Sequence, residues 1–78
     1  MSAFPLDQAA MEQPVRVRSI DGGHQMRCTL NNRGIHVGDC LTVIRAGILQ
    51  GPIVVRVHGM DVAVGRHMAH RITVEAVV

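Results

Sequence analysis

A chain of 78 residues has room for one domain, and at this size only about 60% of the unfolded surface is buried on folding, so a deep internal cleft is not expected. Hydrophobic residues make up 47% and aromatic residues 1%. The core must therefore be aliphatic, and the stacking platforms that hold single-stranded nucleic acid or proline-rich peptides cannot be assembled. The net charge of +2 comes with eight arginines and no lysine. They are dispersed without a basic block, so no nucleic-acid surface is expected.

Residues 1–14, with Pro5, Pro14 and a short Asp7–Glu12 stretch able to form a helical turn or two, read as an N-terminal arm to a domain spanning 15–78. From Val15 the alternation of Val15 and Val17 with Arg16 and Arg18 predicts a half-buried strand. Asp21-Gly22-Gly23 breaks it. His24 to Arg33 lacks a β-branched run and sets Met26 and Leu30 four apart, which predicts a short amphipathic helix. Gly34 suits the left-handed residue that closes a helix, with Ile35 packing back over the end. Val37-Gly38-Asp39 turns into the next strand.

Four further strands are predicted at Cys40–Arg45, Ile53–His58, Val62–Gly65 and Ile72–Val77, short, β-branched and bounded by Gly or Pro. Gly59-Met60-Asp61 is expected as the tight connection between the second and third of these. Gly47–Pro52 is a longer loop whose Ile48 and Leu49 have no evident core position. A single turn fits Arg66–His70, with Ala69 pointing inward. The expected fold is all-β: a small five-stranded SH3-like barrel, its edges meeting, with a short α-helix inserted after the first strand.

Cys28 and Cys40 show no CxxC spacing, and the N-terminus lacks the basic and apolar regions of a secretory signal. Free thiols in a reducing cytosol are expected. Cys40, opening an aliphatic strand, reads as a small buried hydrophobe. His24 and Cys28, four apart on the helix face opposite Met26 and Leu30, form a candidate zinc-binding pair, and His67 and His70 on one turn form a second. Two ligands leave a tetrahedral site open, so closure would need another loop or a second molecule, as in a metal-bridged homo-oligomer. No carboxylate-and-histidine cluster is visible, so iron is not expected as a ligand. Neither a nucleophile elbow, a paired-carboxylate set nor a phosphate-binding loop is present, and no enzymatic activity is expected.

Leu30-Asn31-Asn32-Arg33-Gly34-Ile35-His36-Val37-Gly38-Asp39, Gly51-Pro52-Ile53-Val54-Val55-Arg56-Val57, Gly59 with Val62-Ala63-Val64, and Ala69 before Arg71-Ile72-Thr73-Val74 follow one another over Val15–Val77. In this order and spacing the chain resembles the ferrous iron transport protein A (FeoA) family of small cytoplasmic SH3-like proteins. Arg66 and His67 depart from the more apolar segment expected there. The resemblance implies an accessory role in bacterial ferrous iron uptake and a partner in FeoB, the membrane transporter with a cytoplasmic GTP-binding domain. Membrane association would come only through that partner, since no run approaches the roughly 20 apolar residues of a spanning helix. No cofactor is required on this reading. The candidate contact residues are Ile48 and Leu49 with Arg45 and Arg56, whose guanidinium forks suit acidic groups. The family is also similar to the C-terminal domain of iron-dependent repressors, so a metal-responsive module binding zinc or iron is the alternative.

Overall fold

The computed structural model describes residues 2–47, 49 and 51–77. Six strands, β1 (Ala3–Pro5), β2 (Pro14–Ile20), β3 (Cys40–Arg45), β4 (Ile53–Val57), β5 (Met60–Val64) and β6 (Ile72–Ala76), form one antiparallel sheet in the order β1-β6-β2-β3-β4-β5. Helix α1 (Gly23–Asn32) follows β2, and a single helical turn, α2 (Arg66–His70), precedes β6. The SH3-like architecture expected from the strand spacing is present, with two differences. Six strands replace five, and the sheet is not strictly closed, β1 and β5 remaining as its edges.

The sixth strand comes from the residues read as an arm. Phe4 pairs with Val74 of β6, and the 3-10 turn that follows, Leu6–Gln8, places Leu6 wholly inside the core. A proline within a three-residue run masks such a strand in the sequence, but Pro5 costs no ladder bond on a sheet edge. Residues 3–5 thus belong to the sheet and Leu6 to its core.

Alternation in β2 and β3 buries Val15, Val17, Leu41 and Val43 on one face. Register shifts at Arg18 in β2 and at Ile44 in β3 introduce bulges, which bend the strands and curl the sheet around its core. Leu30, Ile35, Ala69 and Ile72 fill the centre, and no polar residue is buried among those described. Ala69 points inward as expected.

Helix α1 closes as the sequence predicts. Gly34 takes a φ of 93°, its N–H donates to Asn31 (3.0 Å), and the Ile35 N–H donates to Leu30 (2.9 Å), the paired bonds of a Schellman end with its apolar contact between buried Leu30 and Ile35. By contrast, the connection between β4 and β5 lies one residue earlier than expected. His58 and Gly59 form a two-residue turn with φ values of 52° and 77°, while Met60 and Asp61 already pair with Val57 and Arg56. Two positive φ angles are what a type I′ hairpin requires.

Candidate functional site

The loop between β3 and β4 is braced at its base. A Cβ at Gly47 would collide with the Gly51 backbone, so the absence of a side chain at Gly47 allows the chain to cross closely. Arg66 reaches across from α2 and donates to the Gly47 carbonyl at 3.0 Å. The residue that departs from the resemblance pattern therefore acts as the loop's strut. Leu49, at the tip, is 95% exposed and has a φ of 55°. Ile48, its expected partner in the contact surface, lies outside the described residues.

Arg45 ends β3 and is exposed. Arg56 is exposed on β4, where its guanidinium forks onto Asp61 of β5 (2.9 and 3.4 Å). That hydrogen bond and the carboxylate charge raise its already high pKa. Arg56 is consequently engaged within its own sheet, whereas Arg45 stands exposed where β3 runs into the loop.

The two metal-ligand pairs fare differently. His24 Nε2 lies 3.3 Å from Cys28 Sγ on the outer face of α1, so the helical spacing does bring imidazole and thiol together. His70 instead turns its Nδ1 to Asp7 Oδ2 at 3.4 Å, tying α2 to the 3-10 turn, and His67 is exposed. Cys40 is exposed, contrary to its reading as a core residue. Leu41 and Val43 take the inward positions of β3, and the period of two turns Cys40 outward, where the Arg16 guanidinium approaches its sulfur at 3.6 Å.

A cluster that the sequence does not announce lies on the turn before β3. Asp39 Oδ2 accepts from the His36 backbone N–H at 2.8 Å and lies 3.4 Å from its Nδ1, while Oδ1 lies 3.2 Å from His58 Nε2. Burial alone would raise the Asp39 pKa, but the His36 N–H, the hydrogen bond and charge of the His58 imidazole and the hydrogen bond of the His36 imidazole together hold it below the ordinary carboxylate value. His36 and Asp39 are neighbours in sequence. Only the β4–β5 turn supplies His58, which is why the spacing along the chain gave no signal. Elsewhere, Gly22, Gln25, Met26, Thr29 and Met68 line a shallow groove of about 320 Å³ between the helices that holds no ionisable side chain.

The comparisons with known proteins agree with the SH3-like fold. The FeoA domain model matches residues 4–76. A Methanocaldococcus jannaschii protein provisionally named Fe(2+) transport protein A is 36% identical over 72 residues, 92% of this chain and 85% of that one. The crystal structure of an iron uptake regulatory protein, FeoA, superposes with a TM-score of 0.87 at 28% identity, covering 99% of this chain and all of the other. A manganese-dependent transcriptional repressor shares the fold (TM-score 0.86, 24% identity), with 96% of this chain covering 42% of its length. Since the family match runs from the first strand to the last, this chain belongs to the FeoA domain family.

Proposed function

We propose that this protein is a non-catalytic accessory component of ferrous iron uptake that binds the cytoplasmic part of a FeoB-type GTP-binding transporter. The observation that carries the contact surface is Leu49: a large aliphatic side chain, 95% exposed, on a loop held by the Gly47–Gly51 crossing and by Arg66. An apolar residue presented on a braced loop loses little conformational freedom on binding, so its burial contributes to affinity with a small ordering cost. Arg45, exposed at the end of β3 where this loop begins, offers a charged group for acidic partners. Among the described residues no helix is long and apolar enough to cross a membrane, and attachment to the bilayer is assigned to the transporter.

The test is recovery of the transporter from host membranes by the tagged protein, with and without ferrous iron and GTP. Leu49→Asp should abolish recovery while leaving stability within about 0.5 kcal/mol, because the position is exposed and Asp tolerates positive φ. Undiminished recovery by that variant would move the contact surface elsewhere. Failure of the unaltered protein in membranes shown to contain the transporter would overturn the partnership.

A further inference from the structure

We propose that Cys28, with His24 as its base, is a site of thiol–disulfide exchange with small-molecule disulfides on the outer face of α1. Residues 24 and 28 stand about one helical turn apart, so their side chains are neighbours on the surface. His24 is exposed, Cys28 is half-buried, and the His24 Nε2 lies 3.3 Å from the Cys28 Sγ. A base within hydrogen-bond reach is what activates a thiol, which attacks only as the thiolate.

The surroundings of the other histidines set this one apart. His36 and His58 face Asp39, and His70 faces Asp7. No acidic residue occupies the first turn of α1, and among the described residues the hydrogen-bonding partner of the His24 ring is the sulfur. Cys40 supplies the contrast. The Arg16 guanidinium, 3.6 Å from its sulfur, carries donors but cannot accept a proton. Of the two thiols, Cys28 is the one with a base beside it.

The exchange balances without an outside oxidant. As the Cys28 sulfur bonds to one sulfur of R–S–S–R, the reagent's own disulfide bond breaks and its electron pair leaves with the second sulfur. The thiol proton passes to the His24 Nε2, with Nδ1 carrying the ring's other proton, and from there to the departing thiolate. The products are the mixed disulfide of Cys28 and one R–SH. The Cys28 sulfur is oxidised and the departing sulfur reduced. Room for the R group lies alongside: Gln25, three residues before Cys28 on the same helix, lines the groove of about 320 Å³ between α1 and α2. That volume suits the carrier of a small thiol. Among the described residues no third group orients the imidazole as in a catalytic triad, so the chemistry is a single exchange rather than turnover.

The experiment incubates the reduced, full-length protein with oxidised glutathione at neutral pH and follows each thiol by mass spectrometry. Cleavage after Arg27, Arg33 and Arg45 places Cys28 and Cys40 on separate peptides, residues 28–33 and 34–45. The glutathione adduct is expected first on residues 28–33, and dithiothreitol should remove it. His24→Gln should slow modification of Cys28 about tenfold, less than an oriented base supplies in enzymes, and leave the rate at Cys40 unchanged. The substituted position is exposed, and the amide spectrum together with the Cys40 rate verifies that the variant folds. Absence of an adduct on Cys28, modification of Cys40 ahead of it, or a Cys28 rate unaltered in His24→Gln would each overturn the site. The assay contains neither transporter nor iron, so its outcome is independent of the membrane recovery experiment.

Discussion

His58 and Asp39 meet because backbone and side-chain requirements coincide at each position. A two-residue hairpin needs positive φ at residue 58, which histidine accepts more readily than β-branched residues do, and the same turn brings the imidazole to Asp39. The effect on the carboxyl group gives a pH dependence of defined sign. Asp39 ionises more readily in the folded chain than in the unfolded one. Its contribution to stability is therefore complete above the ordinary carboxylate range, about pH 4, and vanishes as the pH falls through the lower folded-state value. Asp39→Asn should lower the melting temperature at neutral pH, and the difference from the unaltered protein should close in acid. A difference that persists unchanged at the acid end would show that the carboxylate charge is not responsible. Cys40 carries a related lesson: its chemistry suggested burial, but Leu41 and Val43 on the same strand had already claimed the inward face. Alternation was the stronger guide.

Among the elements, those legible in the sequence are the ones fixed by local chemistry. The end of α1 follows from Gly34 and Ile35, and β3 follows from its β-branched residues between a glycine turn and a glycine-containing loop. The elements that escaped depend on partners distant in the chain. β1 is three residues long, contains a proline, and exists because β6 offers an edge to it. Leu6→Ala separates the two views of this segment: for a fully buried side chain it should destabilise by about 2–5 kcal/mol in urea unfolding. An appendage outside the fold would register almost nothing. Arg66 is a second case. In sequence it is an out-of-place charge, and in the fold it donates to Gly47 from the next helix. Arg66→Met retains the apolar stem but loses that bond, so amide exchange at Gly47 and Leu49 should accelerate while global stability changes by about 1 kcal/mol. Unchanged exchange would show that the glycine crossing alone holds the loop.

Across the whole molecule, one aliphatic core supports surface features that sequence reading could find only singly. His24 with Cys28 was visible because helical periodicity relates them, whereas His36, Asp39 and His58 required the order of β3, β4 and β5. The exposed edges are modest. β1 has three residues, and the Arg33 guanidinium donates to the Ala63 carbonyl of β5 at 2.7 Å, occupying an acceptor that another strand could otherwise use. The pairing of β1 with β6 has a further outcome. Ala3 stands opposite Glu75, so the polypeptide enters and leaves the fold at adjacent points, about 5 Å apart across an antiparallel pair. Such a unit can be grafted into a longer polypeptide without stretching either junction. A shared doorway of this kind is a physical reason why the same architecture can be carried within a longer chain, as in the manganese-dependent repressor of which it spans 42%.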